Sequence, residues 1–167
     1  MIELRAKEIV STLRAHHRLQ ARLCASLEQI ADSLPEAADR QHCLTLARQI
    51  YPVLRQAHRF EEESLFPHLV KMQTAIEGLP QSLERQQFEH WEDEAFAEEL
   101  SECLLEFGSG IGSTDTDKLA YMLRGFFEGI RRHIAFETEH LLPILTQRIQ
   151  ATHASNGNPT TTNRSAS

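Results

Sequence analysis

Long apolar runs are missing from this chain. No stretch approaches the roughly 20 consecutive apolar residues that cross a bilayer as a helix. The opening residues Met-Ile-Glu-Leu-Arg-Ala-Lys-Glu are charged from Glu3 onward and hold no apolar secretion-signal core. Membrane association is not expected. Cysteine is equally scarce: Cys24, Cys43 and Cys103 are far apart and form no CxxC. An odd, scattered set builds no disulfide framework and reads as free thiols in a reduced, cytoplasmic chain. Basic clusters are absent as well. Lys and Arg number 17 against 24 Asp and Glu, for a net charge of -7. A phosphate backbone attracts clustered cations, so nucleic acid is not an expected partner. With 7 Gly, 6 Pro and 7% aromatic residues, a many-turned all-β fold is disfavoured.

What is present is helix-forming residues and histidine. The chain of 167 residues suffices for one ordinary domain with a core and is too short for two. Leu, Ala, Glu, Gln and Arg are abundant and favour helix. Nine His are a surplus that a helical protein of this size does not need. Ser33-Leu34-Pro35, Gly78-Leu79-Pro80 and the run from Gly108 to Asp115 divide the sequence into four long segments. From 151 to 167 almost nothing is apolar, so a domain over 1–150 followed by a disordered tail over 151–167 is expected.

Each segment carries apolar residues at three- and four-residue steps: Ile9, Leu13, Leu23, Leu27 and Ile30 in the first, Ile50, Leu54, Leu65 and Leu69 in the second. The third has Leu83, Ala97, Leu104 and Phe107 with the polar Gln87 on the same stripe, and the fourth Leu119, Met122, Phe126, Ile130 and Ile144. Stripes of this period bury one helical face each, and four of them with short connections predict an all-α, up-down-up-down four-helix bundle. Pro52, Pro67 and Pro143 each remove an N–H and predict kinks. Trp91, Phe96 and Tyr121 are expected to pack between helices.

The informative feature is polar residues where the stripes call for apolar ones. His58/Glu62, His90/Glu94 and His133/Glu137 are three His-xxx-Glu pairs, each one turn apart on an inward face. Buried unpaired carboxylates cost several kcal/mol each, on the order of what a bound cation offsets, and no Lys shares these stripes. Imidazole nitrogen with carboxylate oxygen suits iron, manganese or zinc. Six ligands from three helices exceed the needs of one ion and predict two bridged ions. The first helix adds His16 or His17 near its middle. The order of the pair, His first with a four-residue step, separates it from the Glu-xx-His of ferritin-like sites. No HExxH occurs.

Together these residues resemble the hemerythrin-like, His-His-Glu (HHE) cation-binding domain family. The resemblance rests on His17, His58-xxx-Glu62 followed by Leu65-Phe66-Pro67, His90, and His133-Ile134-xx-Glu137 followed by Leu141-Leu142-Pro143. It spans about residues 5 to 148. It implies a non-haem di-iron centre with bridging carboxylates, an oxo or hydroxo bridge and terminal histidines. It also favours His17, because Leu13-xx-His16-His17 resembles the family's Leu-xx-Asp-His. Two departures stand out. His58 precedes its proline by nine residues where His133 precedes its own by ten, which leaves Glu61 and Glu62 as alternatives. Glu94 stands where oxygen-carrying hemerythrins place a second His.

The metal set expected is therefore His17, His58, Glu62, His90, Glu94, His133 and Glu137. The expected function is a di-iron protein that binds or senses O2, NO or peroxide, or that handles iron. An anionic Glu94 in place of a neutral imidazole stabilises ferric iron and disfavours simple oxygen carriage. A di-iron peroxidase or ferroxidase and a metal-regulated interaction module are the alternatives. The oligomeric state is not readable from the sequence.

Overall fold

In the computed structural model, which describes residues 2–72 and 77–156, four antiparallel helical rods form the up-down-up-down bundle. The first rod is α1 (Ile2–Ser33). The second is broken into α2 (Arg40–Ala47), α3 (Ile50–Phe60), a π-helical turn over Glu61–Leu65, and α4 (Phe66–Lys71). The third is α5 (Leu79–Ser109). The fourth is α6 (Thr116–Phe136), a second π turn over Glu137–Leu141, and α7 (Leu142–Asn156). α1 packs against α3 and the α6–α7 rod, and α5 packs against α2, α3 and α6. The last helix therefore runs six residues past the expected domain limit at 150. The rest of the expected tail, 157–167, lies outside the described residues. No described helix is long and apolar enough to cross a membrane.

Local chemistry sets the element ends. Asp39 caps α2 by accepting from the backbone N–H groups of Gln41 and His42, and Asp115 caps α6 by accepting from Asp117 and Lys118. Gly78 (φ +81°) and Gly110 (φ +68°) bracket α5 in the left-handed conformation. Pro52 sits in the first turn of α3, where its missing N–H costs nothing, so the chain breaks before Ile50 instead of kinking at the proline.

Pro67 and Pro143 act differently from the expected kinks. Each is preceded by a π turn in which the residue before the proline donates to the carbonyl five residues back: Phe66 to Glu61 and Leu142 to Glu137. A proline ring crowds the carbonyl four residues back, and one extra residue in the turn relieves the conflict.

Close approach matters most at Gly108. A Cβ there would lie 2.9 Å from the Arg40 carbonyl oxygen and 2.8 Å from Leu44 Cγ, so α2 is seated directly on the α5 backbone. Arg40 secures the joint by donating to the Phe107 carbonyl and lying over the Phe107 ring at 4.8 Å. Gly108→Ala is expected to destabilise the fold by about 1–3 kcal/mol despite alanine's better helix propensity. Chemical denaturation of the two proteins measures the difference.

The core comes in two parts. One joins the second half of α1 to α2, α3, Ala97–Phe107 of α5 and Leu119–Ile130 of α6. The other joins Ile9–Leu13 of α1 to Leu65–Leu69, Leu79–Leu83 and Leu141–Leu145. Between them every rod places polar residues at the same level: His16, His17 and Gln20; His58 and Glu61; Gln86 and His90; His133 and Glu137. A bundle whose core is interrupted by one buried polar layer has its functional site located by packing alone. Two expected packing residues fall elsewhere. Trp91 is 67% exposed, with Phe88 beside it at 6.0 Å, and Tyr121 is 80% exposed. Phe96 does pack, edge-on against Phe126.

Candidate metal centre

Six side chains from four rods converge in the polar layer: His17 from α1, His58 and Glu61 from α3 and its π turn, His90 from α5, and His133 and Glu137 from α6 and its π turn. His58, Glu61 and Glu137 are completely buried, and the others nearly so. His17 Nε2 lies 2.7 Å from Glu137 Oε2. Glu61 Oε2 lies 2.9 Å from His90 Nε2 and 3.3 Å from His133 Nε2. The His58 and His90 rings stack at 3.9 Å with 8° between their planes. One group of ligand atoms, from His58, His90 and His133, lies within 4.8 Å of one another, and so does a second, from Glu61, His133 and Glu137.

Two of the expected residues stand behind the imidazoles. Glu62 Oε1 accepts from His90 Nδ1–H at 2.8 Å, and Glu94 Oε1 accepts from His58 Nδ1–H at 3.0 Å. Arg55 grips both oxygens of Glu94 at 3.1 and 3.3 Å. A carboxylate on the outer nitrogen fixes a histidine's tautomer and orientation and leaves Nε2 facing inward. Glu61 occupies the inward position in place of Glu62. Both inward carboxylates, Glu61 and Glu137, open a π turn ahead of a proline. The register follows the proline and not a fixed step from the histidine, and residues three and four after a histidine share its helix face. A signal was present in the sequence. Glu61 and Glu137 both lie six residues before a proline, whereas counting from the histidines gives three and four.

Between the two helix-one histidines the geometry favours His17. His16 is buried against the Phe60 ring at 5.3 Å, whereas His17 is hydrogen-bonded to Glu137. Gln20 and Gln86 belong to the same layer and escape the sequence reading, which put Gln87 on the stripe. Gln87 is exposed. Gln20 is buried with both amide atoms unpartnered.

The inner carboxylates draw their counter-charge from the imidazoles. Burial works against charge on Glu61, but the imidazoles of His133 and His90 outweigh it and bring the carboxyl down to about 2. Burial likewise opposes charge on His133, and the hydrogen bond and charge of Glu61 overcome it, lifting the ring to about 9. Burial and the nearby Glu61 charge push Glu137 up. His58 is pushed down to about 2 by burial and by its neighbour His90, so with Nδ1–H given to Glu94 its Nε2 lone pair is free. His58 Nε2, Glu61 Oε1 and Glu137 Oε1 are buried with no partner, and among the described residues the inner carboxylates pair with imidazoles and not with Lys or Arg. Unsatisfied inward-facing nitrogen and oxygen donors, with no thiol among them, fit a cation of borderline hardness.

A polar cleft of about 520 Å³ between α5 and α6 reaches the layer at His133. On the far side of the layer a mostly apolar cleft of about 400 Å³ includes Glu62, Phe66 and Leu83, and Phe66 stacks over His90 at 5.8 Å.

The fold and the layer define a class, four-helix bundles with a buried histidine–carboxylate cation site. The chain matches the hemerythrin HHE cation binding domain over residues 8–145 and belongs to that family. No curated protein and no solved structure gives a significant match to the chain.

Proposed function

We propose that the protein is a non-haem di-iron protein that binds or senses O2, NO or peroxide, or handles iron, in a reducing, cytoplasmic setting. The observation that carries this reading is the pair of wholly buried carboxylates, Glu61 and Glu137, set among four imidazoles with no Lys or Arg paired to them among the described residues. Each carboxylate turns one oxygen to an imidazole and leaves the other unpartnered. Glu61, Glu137, His17, His58, His90 and His133 would hold two ions there, and iron would supply exchangeable coordination positions and a reversible ferrous–ferric couple. The three free thiols fit the reducing compartment.

The chain's own residues set the character of the site. Glu62 and Glu94 make His90 and His58 stronger donors, which favours the higher oxidation state and works against simple oxygen carriage. Glu94 exerts this effect through His58, with its charge matched by Arg55. Phe66 lies over His90 and Phe60 beside His16, placing apolar rings at two edges of the layer. The cleft at His133 supports the second reading, a peroxidase or ferroxidase, because it is lined with hydrogen-bonding groups suited to a polar substrate.

Anaerobically iron-loaded protein, exposed in turn to O2, NO and peroxide, tests the proposal. An optical change with at least one of these, absent in Glu137→Ala, is expected. Sustained peroxide consumption with a reductant, lost in the same variant, selects the enzyme. A colour change with oxygen that reverses fully without net oxidation contradicts the preference against carriage.

A further inference from the structure

One polar side chain of α1 is left unused by the metal reading. Leu13, Gln20 and Leu27 stand seven residues apart, close to two turns of helix, so they face almost the same way. All three are closed off from solvent, Gln20 at 1% exposure and both leucines at 0%. Gln20 thus takes a leucine's place on the inward stripe, three residues on from His17 and in the gap between the two apolar cores. Neither its Oε1 nor its Nε2 has a partner among the described residues. A buried amide with both ends unpaired destabilises the fold, and a leucine in its place would not.

Cations account for other open atoms of the layer but not for this group. A cation satisfies lone pairs, such as those of His58 Nε2, Glu61 Oε1 and Glu137 Oε1, and repels an N–H. Gln20 Nε2 needs an acceptor, while its Oε1 takes a donor. The neighbouring polar groups of α1 are engaged elsewhere: His16 lies against the Phe60 ring, His17 is bonded to Glu137, and the Cys24 thiol donates to the Phe127 carbonyl. The amide therefore calls for a small guest that both accepts and donates. Dioxygen and nitric oxide carry no proton. Hydrogen peroxide carries an O–H and lone pairs on each of two bonded oxygens, and so matches an amide's paired donor and acceptor.

We propose that Gln20 selects hydrogen peroxide over nitric oxide and dioxygen at the centre, its Nε2–H donating to a peroxide oxygen and its Oε1 accepting from a peroxide O–H. The inference rests on the di-iron reading and deepens it by choosing among the ligands that reading allows. Gln20 is in this account a specificity-determining residue and not a metal ligand.

Two apolar replacements test it, Gln20→Leu and Gln20→Met, the unbranched methionine keeping the shape of the glutamine. In anaerobically iron-loaded protein, the rate constant of the optical change with peroxide is expected to fall about tenfold in both, the loss of roughly one hydrogen bond. The constant with nitric oxide is expected to stay within about twofold, and iron content to stay at the wild-type value. The metal-free proteins supply a readout independent of iron: relief of the unpaired amide is expected to raise the thermal midpoint by about 2 °C or more in at least one variant. Peroxide and nitric oxide slowed alike, or peroxide not slowed, overturns the proposal. So does loss of iron from both variants, which makes the amide a ligand, or a midpoint that fails to rise in either, which makes it structural. Failure of the di-iron reading shows separately, as wild-type protein that retains no iron.

Discussion

Glu61→Ala is expected to abolish stoichiometric metal retention, whereas Glu62→Ala keeps the stoichiometry and weakens affinity by about 10–100-fold. The two residues are adjacent and chemically identical, so the contrast isolates geometry. Glu61 is completely buried, with His90 and His133 against Oε2 and no partner for Oε1. Removing it takes away the carboxylate that faces both imidazoles. Glu62 is partly exposed and touches only the outer nitrogen of His90. Its loss frees the ring to rotate without removing an inward donor. Metal content after dialysis, measured side by side in both variants, gives the answer. Equal losses, or a greater loss in Glu62→Ala, would show that Glu61 is not the inner carboxylate.

Chelation carries the second large effect. With the cation gone, Glu61 and Glu137 remain buried together, and only imidazolium protons are available to balance them. A ligand present at about a thousand times its dissociation constant stabilises the native state by roughly 4 kcal/mol. For a domain of this size each kcal/mol moves the midpoint by about 2–4 °C. Stripping the metal is therefore expected to lower the thermal midpoint by about 10 °C or more, with recovery when metal is restored. A network held by His–Glu hydrogen bonds alone predicts no change on chelation. Scanning calorimetry of loaded, stripped and reloaded protein distinguishes the two.

The bundle and most of its polar layer were legible because both follow from helical period. Leu54 and Leu65, or Ile130 and Leu141, bracket the histidines in sequence as they do in space, and a polar break in four stripes at one level means a site between two cores. α4 ends at Lys71, and His58 lies level with His90, the two rings stacked. What was not legible depends on departures from ideal geometry or on neighbouring rods. Glu62 follows from matching the four-residue step of His133 and Glu137, whereas the two rods share the distance from carboxylate to proline. Glu94 sits one turn from His90 on its own helix, yet its partners His58 and Arg55 belong to α3, a choice that helix period cannot reveal. Trp91 was assigned to the interior for its size, although it lies about 100° around the helix from the buried His90.

Metal content and absorption of freshly purified protein test the central claim most directly. Two irons per chain with near-ultraviolet bands of an oxo- or hydroxo-bridged pair are predicted. Stoichiometric zinc alone, or no bound metal after anaerobic reconstitution with ferrous iron, would contradict it.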